Sequence, residues 1–321
     1  MSSRHIEIGL GFQSDKSAER YQGLARIAEE YGIDVITVFS DLLYQPPIVP
    51  LLEMARVTSH VRLGVACWNP YTLHPYEIAG MLAALDQQSQ GRAYLGLAKG
   101  TWLDRLGIEQ PRPVRYLREA AGLIYALLEG TKDGRDSDVF PLAPDTTLQY
   151  PILRSRPPLL IGTWGAQGAA MAGEIADELK VGGTANPAMV EVMRERIKVG
   201  TDKVGRTPGD VRLVFGAVTV VDEDRDRARA KAREEVAMYV AAVAALDPTI
   251  TLPPEVVSGE VIPDDVLDLF AFSGTPDDVA EQAQRLIDAG VDRVEFGTPH
   301  GLTNEHGVEL IGRSVLPQLS R

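Results

Sequence analysis

The chain has 321 residues, 45% hydrophobic and 24% charged, which is typical of a globular protein with a sizeable core. Its formal net charge of −13 repels nucleic acid and anionic membranes, so we expect neither as a partner. The single cysteine, Cys67, excludes an intramolecular disulfide and fits a reducing compartment. No apolar run approaches the roughly 18 residues of a membrane helix, and residues 1–5 precede a strand without the apolar segment of a secretory signal. A cytoplasmic protein is therefore expected.

Short β-rich runs alternate with longer runs of helical periodicity along the chain. The predicted strands cover residues 6–12, 35–39, 61–67, 92–98, 159–163, 179–182, 211–221 and 293–297. The predicted helices cover residues 18–31, 49–59, 76–88, 114–128, 166–176, 187–204, 224–245, 276–289 and 306–316. Thr275 is the expected N-cap of the eighth helix, with proline at its first position. Two stretches rich in turn-forming residues, about 130–156 and 247–270, are interpreted as insertions.

Eight alternations of strand and helix predict a parallel sheet covered by helices. We expect a closed (β/α)8 TIM barrel, formed by one domain over residues 1–321. The insertions follow the fourth helix and lie around the seventh strand and its helix. An open doubly wound sheet is the alternative. That fold usually has a Gly-x-Gly-x-x-Gly turn after the first strand, and residues 9–14 lack the third glycine.

Active sites of such barrels form at the carboxyl ends of the strands. The candidate site residues are therefore those that follow predicted strands, and they include all three tryptophans. They are Asp41, Cys67, Trp68, Asn69, Lys99, Gly100, Thr101, Trp102, Asp104, Trp164, Gly165, Gly182 and His300. Aromatic side chains around one mouth suit a flat conjugated ligand, although they also pack loops together.

Several of these residue types suggest particular chemistry. The glycine-rich turn 162–168 would let backbone N–H groups approach a phosphate at a helix N-terminus, but a tight turn accounts for it equally well, and Gly182 gives a weaker signal of the same kind. Asp41 could bind ligand hydroxyls, act as a general base or cap a helix. His300 could donate a proton. Lys180 could form a Schiff base, although a strand-end lysine that reaches solvent is the more ordinary interpretation. The scattered histidines and single cysteine give no metal site.

Residues 63–75, Leu-Gly-Val-Ala-Cys-Trp-Asn-Pro-Tyr-Thr-Leu-His-Pro, resemble the third strand and following loop of luciferase-like barrel oxidoreductases, the bacterial luciferase superfamily. The resemblance is greatest to the methylenetetrahydromethanopterin reductase branch, which uses the deazaflavin coenzyme F420. Further similar segments occur in the same order at residues 40–41, 95–100, 172–177, 273–278 and 296–301. Together they span nearly the whole chain.

This resemblance implies a deazaflavin in the barrel mouth, with flavin mononucleotide (FMN) as the alternative cofactor. It also implies a non-proline cis peptide, here Ala66–Cys67, behind the ring. Members of the family are often dimers. The cofactor contacts that the resemblance assigns are Asp41 beside the ring, Asn69 after the bulge, the turn with Lys99, Gly100, Thr101 and Asp104, and Trp164 with Gly165 at the phosphate.

The sequence departs from this family at positions tied to proton transfer. Leu42 stands where the related alcohol and sugar-phosphate dehydrogenases have histidine, Thr101 where the sugar-phosphate enzyme has an acid, and Gly11 where the reductase has glutamate. We take Asp41, Thr101 and His300 as candidate catalytic residues, and the proton donor is left open between Asp41, His300, Tyr44 and the substrate's own surroundings. The expected function is hydride transfer between F420 and a small organic substrate, with reduction of a C=C or C=N bond favoured because that histidine is missing. The alternatives are an FMN-dependent luciferase-like monooxygenase and a catalytically silent flavin-binding barrel.

Overall fold

The structure, a computed structural model, describes residues 5–320, so residues 1–4 of the N-terminal stretch and Arg321 lie outside the described part. Its strands are β1 (Glu7–Phe12), β2 (Val35–Phe39), β3 (Arg62–Ala66), β4 (Ala93–Ala98), β5 (Leu159–Gly162), β6 (Glu178–Gly182), β7 (Arg212–Val221), β8 (Ala271–Gly274) and β9 (Arg293–Gly301). Its α-helices are α1 (Ala18–Glu30), α2 (Ile48–Ala55), α3 (Pro75–Gln88), α4 (Pro113–Glu129), α5 (Ala166–Ile175), α6 (Ala188–Val204), α7 (Arg225–Ala237), α8 (Val240–Ala244), α9 (Pro254–Val257), α10 (Asp264–Phe270), α11 (Pro276–Ala289) and α12 (Asn304–Leu310).

The sheet closes into a barrel. Within residues 5–320, eight parallel strands form a ring in the order β1 to β7 and then β9, because β6 pairs with β7 and β9 pairs with β1. The predicted (β/α)8 TIM barrel is confirmed, and the open-sheet alternative is wrong because the ring has no free edge.

An additional strand, a helix break and the two short helices α9 and α10 within the second insertion differ from the prediction. Strand β8 is an additional strand that the sequence did not predict. Residues 212–216 of β7 pair with β6, and residues 218–221, further along the same strand, pair with β8. Four residues are too few to show a clear sequence period. The helix predicted over 224–245 is interrupted at Tyr239, whose hydroxyl donates a hydrogen bond to the Phe270 carbonyl at 2.7 Å. That contact with a distant element ends α7, and local propensity does not reveal it.

The first insertion, at about residues 130–156, contains a short hairpin. Residues Arg135 and Leu142 make an antiparallel bridge. Phe140 packs edge-on against Tyr116 of α4, and Tyr116 in turn stacks on Tyr71 with ring centroids 4.6 Å apart. The insertion therefore ties the loop after β3 to the outer layer of helices.

The helix ends follow their sequence signals. Thr275 caps α11 as predicted, and Asp278 Oδ2 accepts a hydrogen bond from the Thr275 backbone N–H at 2.9 Å. His74 caps α3 through Nδ1, which accepts from the Tyr76 N–H at 3.1 Å. In the part of the chain that is described, no helix combines the length and apolar character needed to cross a membrane.

Large side chains fill the barrel interior, and glycines on neighbouring strands leave the room that they need. A Cβ at Gly64 of β3 would lie 2.4 Å from the ring of Tyr94, which is fully buried. Tyr94 packs with Val35 and Leu160 inside the ring. Since this packing closes the centre, the space for a ligand lies above it, at the carboxyl ends of the strands.

Candidate active site

A cis peptide bond joins Ala66 to Cys67 where β3 ends, as predicted. The Cys67 Sγ lies 2.9 Å from where a Cβ at Gly162 of β5 would stand, so glycine is the residue that fits there. Burial raises the pKa of the Cys67 thiol to about 12. Cys67 is therefore an uncharged part of the wall, and not an activated nucleophile.

Asp41 lies two residues beyond β2 and is half-buried. Gln13, just beyond β1, donates a hydrogen bond from Nε2 to Asp41 Oδ2 at 3.3 Å. Burial raises the pKa of the Asp41 carboxyl, while the Gln13 hydrogen bond and the charge of Lys180 oppose the rise. A carboxyl group that holds its proton at higher pH than usual is suited to general acid–base work.

An ion pair lies inside the barrel near Asp41. Lys180 of β6 pairs through Nζ with Glu295 Oε1 of β9, and both side chains are buried. Glu295 Oε2 accepts a hydrogen bond from Thr37 at 2.8 Å, and Thr37 bonds the Tyr94 hydroxyl at 2.7 Å. The ordinary interpretation of Lys180 as a solvent-exposed residue is wrong. The ion pair also disfavours a Schiff base, which needs an uncharged amine.

The turns after β5 and β6 meet through Trp164. Its Nε1 donates a hydrogen bond to the Gly182 carbonyl at 3.1 Å. Gly165 is the N-cap of α5, and no described side chain caps this helix. Apart from atoms of the adjacent residues in the chain, no described atom lies within 4 Å of the Cβ positions of Gly165 and Gly182, so backbone and open space adjoin there.

The turn after β4 carries Lys99, Gly100, Thr101 and Asp104. The Gln110 side-chain amide donates to the carbonyls of Lys99 and Gly100, the latter at 3.0 Å. The side chains of Lys99, Thr101 and Asp104 are exposed at the rim. The turn is thus held through its backbone, and its polar side chains remain available to a ligand.

Asn69 is buried and holds the loop after β3. Its Oδ1 accepts hydrogen bonds from the Thr72 N–H at 2.9 Å and the Tyr71 N–H at 3.2 Å. A Cβ at Gly100, which has φ +85°, would lie 3.0 Å from Asn69 Cγ. The structure therefore brings Asn69 against the β4 turn, as part of the frame of the mouth.

His300 must be corrected as a candidate proton donor. It is fully buried, and its ring packs on Phe12 with centroids 4.7 Å apart. Phe12 follows the inward-facing Gly9 and Gly11 in β1 and so belongs to the outer face of the wall. Burial, followed by the charge of Lys16, lowers the pKa of His300 to about 3. A fully buried, neutral imidazole is poorly suited to supply protons to the mouth.

Sequence reasoning missed Glu295 and Gln13. A usable signal was present in the strands themselves. Charged residues alternate in β6, as Glu178 and Lys180, and in β9, as Arg293 and Glu295. Alternate positions of a barrel strand face one side, so two such pairs in buried strands indicate compensating charges in the interior.

The mouth fits a flat, phosphorylated ring cofactor. The uncapped N-terminus of α5 offers N–H groups and a favourable dipole for a phosphate, and the glycines leave it accessible. Asp41 follows β2 and Gly182 ends β6, four strands apart in a ring of eight, so they lie on opposite sides of the mouth. Cys67 contacts the β5 wall between these two groups.

A possible cation-binding triplet lies elsewhere, at the start of α7 and α12. One ligand atom each of Asp222, Glu223 and His306 lies within 4.8 Å of the others. Glu223 already pairs with His306 at 2.9 Å and with Arg313 at 3.2 Å. These exposed pairs account for the cluster without an ion.

A closed parallel barrel whose polar and aromatic residues meet at the carboxyl ends of its strands is the architecture of a TIM-barrel enzyme. The sequence profile of the luciferase-like monooxygenases matches residues 5–293, and the chain belongs to this family. The predicted resemblance is confirmed.

Among relatives, the 5,10-methylenetetrahydromethanopterin reductase of Archaeoglobus fulgidus is 28% identical over 98% of this chain and 100% of its own. The F420-dependent glucose-6-phosphate dehydrogenase of Microbacterium testaceum is 25% identical over 92% of this chain and 91% of its own. The coenzyme F420-dependent tetrahydromethanopterin reductase structure from Methanopyrus kandleri superposes with a TM-score of 0.85, at 24% identity, over 98% of this chain and 100% of that one. The last comparison establishes the common fold.

Proposed function

We propose that this protein is a coenzyme F420-dependent oxidoreductase that transfers a hydride between the deazaflavin and a small organic substrate. The observation that carries the proposal is the open, uncapped N-terminus of α5 across the mouth from a half-buried Asp41 with a raised pKa. The first site suits a cofactor phosphate and the second suits proton transfer. Similarity over 92% of this chain to a dehydrogenase named F420-dependent supports the same cofactor.

When bound, the deazaflavin supplies the ring that carries the hydride. This chain's residues bind and orient it. Trp164, Gly165 and Gly182 hold the phosphate end, Ala66 and Cys67 form the wall behind the ring, and Asn69 sets the loop beside them. The exposed turn of Lys99, Gly100, Thr101 and Asp104 contacts the remainder of the cofactor, with Thr101 also available to the substrate.

Reduction of a C=N or C=C bond suits these residues better than oxidation of an alcohol. Leu42 carries no proton-transferring group, and His300 is sealed behind Phe12. Reduction of a double bond requires a proton for the atom that does not receive the hydride. Asp41 is the carboxyl group that we assign to this step, because burial raises its pKa and so favours its protonated form more than in an exposed aspartate.

The proposal is tested by titrating the protein with F420 and, separately, with FMN while tryptophan fluorescence is followed. We expect F420 to bind with a Kd of about 1 μM or less and FMN at least about tenfold more weakly. A preference for FMN would point instead to an oxygen-using monooxygenase, and binding of neither would contradict the proposal.

A matched pair of variants locates the binding site. In Gly182→Ala the new methyl meets no described atom of the protein but enters the proposed ligand space. In Gly23→Ala, on the outer helix α1, the methyl is equally unobstructed and remote from the mouth. We expect a several-fold loss of F420 affinity in the first variant alone. Oxidation of reduced F420 in the presence of imines and activated alkenes then identifies the acceptor class.

A further inference from the structure

The Lys180–Glu295 ion pair has no role in the function proposed so far. The two side chains are 7% and 1% exposed, and they come from strands separated by β7 alone. Burying two charges costs desolvation free energy, and apolar residues of similar volume at the same positions often stabilise a protein as much as a buried ion pair does. A pair in this position, next to the mouth, therefore calls for a reason beyond packing.

Glycines of β1 and β7, the strands on either side of β9, form the slot that holds Glu295. The Cβ positions of Gly9 and Gly216 lie 3.2 Å from Glu295 Cγ and Cβ, and that of Gly11 lies 3.0 Å from Oε1. A side chain at any of the three would press on Glu295. The slot, with the Thr37 hydrogen bond, fixes the carboxylate, and the carboxylate fixes the Lys180 ammonium 5.0 Å from the Phe39 ring.

The ammonium is the more exposed end of the pair, at 7% against 1% for Glu295, and it lies 5.0 Å from the ring of Phe39, the last residue of β2. Burial raises the pKa of both Asp41 and Cys67, and the charge of Lys180 opposes the rise at each. At Cys67 the effect of Lys180 exceeds the opposite effect of Glu295. Burial raises the pKa of Glu295, but Lys180 and then Arg293 outweigh it and hold the pKa below its usual value. The positive end of this neutral ion pair therefore lies nearer the mouth than its negative end does.

We propose that Lys180, held by Glu295, is a specificity-determining residue that makes the mouth bind the reduced ring, in the anionic form that hydride transfer leaves before any proton is added, more tightly than the oxidised ring. The inference rests on the proposed function, since it needs a hydride-accepting ring in the mouth. A hydride brings two electrons and one unit of negative charge, and fixed charge beside a cofactor ring tunes its electronics. Lys180 would thereby bias the direction of hydride transfer.

The first test compares the Kd of oxidised and reduced F420, measured anaerobically by tryptophan fluorescence. In Lys180→Met we expect the Kd of the reduced form to rise at least about tenfold more than that of the oxidised form, which corresponds to about 30 mV for a two-electron couple. Lys180→Arg keeps the positive charge and should retain most of the preference. Equal changes of the two values, or no change in either, would overturn the inference.

The second test needs no cofactor and uses Cys67, the single cysteine, as a probe. The rate of its modification by methyl methanethiosulfonate follows the thiolate fraction. Loss of the positive charge in Lys180→Met should slow the reaction severalfold at a given pH, and Lys180→Arg should restore it. Lys198→Met, at an exposed lysine of α6, is the control and should leave the rate unchanged.

The two tests separate the two ways of failing. A changed Cys67 rate without any F420 binding would overturn the proposed function and, with it, the role given to Lys180. F420 binding with an unchanged Cys67 rate would overturn the inference alone. Because Lys180→Met leaves Glu295 unpaired, the double variant Lys180→Met/Glu295→Gln is measured as well. It removes both charges at similar volume, and we expect it to fold and to lose the same preference.

Discussion

Two groups of charged residues lie inside the same barrel, one at each end, and they are built differently. At the lower end Arg293 is fully buried and pairs with Glu178 at 2.7 Å, and Arg62 bridges Glu7 and Glu178 at 2.7 and 2.8 Å. At the upper end Lys180 and Glu295 pair below Asp41. Asp41 itself has an amide and not a cation as its hydrogen-bond partner.

The two ends shift carboxyl pKa values in opposite directions. Burial alone would raise the pKa of Glu178, but Arg293 and Arg62 outweigh it and hold the pKa below its usual value. At Asp41 burial prevails and the pKa is raised. Compensated charge at the lower end favours the folded state, whereas undercompensated charge at the mouth opposes it. This difference separates a stabilising cluster from a reactive one.

Asp41→Asn should give the largest functional effect. We expect hydride transfer to the best acceptor to fall by roughly 10²- to 10⁴-fold, because the proposed proton donor is removed. Since folding raises the pKa of Asp41, the stability cost of its carboxylate is present at pH 7 and disappears below the unfolded value of about 3.9. The variant should therefore have a higher Tm at pH 7, with the gain vanishing toward pH 4. If Asp41→Asn kept the unsubstituted protein's rate of hydride transfer and had a lower Tm, the claim that the carboxylate at the mouth is reactive and destabilising would be wrong.

Glu178→Gln should have the opposite profile. Removing this carboxylate leaves Arg293 buried without its partner, and we expect a loss of about 3–5 kcal/mol in the free energy of unfolding at pH 7. Folding lowers the pKa of Glu178, so its carboxylate stabilises the protein at pH values above its unfolded pKa of about 4.3. This stabilisation, which the variant lacks, decreases as the pH falls through the folded pKa. Urea denaturation at several pH values measures it. The F420 Kd should change less than about twofold, and Glu234→Gln on the exposed face of α7 is the control.

Gly165→Asp tests the phosphate end of the mouth. A carboxylate at the N-cap of α5 should stabilise the helix by a few tenths of a kcal/mol. The same charge should repel a cofactor phosphate and raise the F420 Kd by about tenfold, or about 1.4 kcal/mol. Gly165→Ser caps the helix without charge and should cost less affinity. An unchanged Kd in the Asp variant would place the phosphate elsewhere.

His300→Asn should have the smallest effect on catalysis. Asn tolerates the positive φ of 70° at this position, and we expect hydride transfer to stay within about twofold. Folding lowers the pKa of His300 to about 3, so the parent protein loses stability as pH falls below about 6.5. The variant should show a smaller drop in Tm between pH 7 and pH 5. A large loss of rate without loss of structure would restore His300 as a catalytic residue.

Local signals in the sequence determined most of the fold. Alternating strand and helix periods, the Thr275 cap and the glycine that ends each of several helices depend on neighbouring residues, so they can be read along the chain. The rule that barrel sites follow their strands then selected Asp41, Cys67 and the turn of Trp164 and Gly165. Strand β8 and the break at Tyr239 depend on distant partners, and local patterns did not reveal them.

The tertiary structure alone decided which charges meet. Lys180 and Glu295 are 115 positions apart and become partners only because the ring closes through β7. Closure also buried His300 against Phe12 and, within residues 5–320, left Asp41 with an amide and no cation as its hydrogen-bond partner. Desolvation and Coulomb energies depend on distance in space and not along the chain. Sequence position therefore located the mouth, while the charge state of each group in it was set by folding.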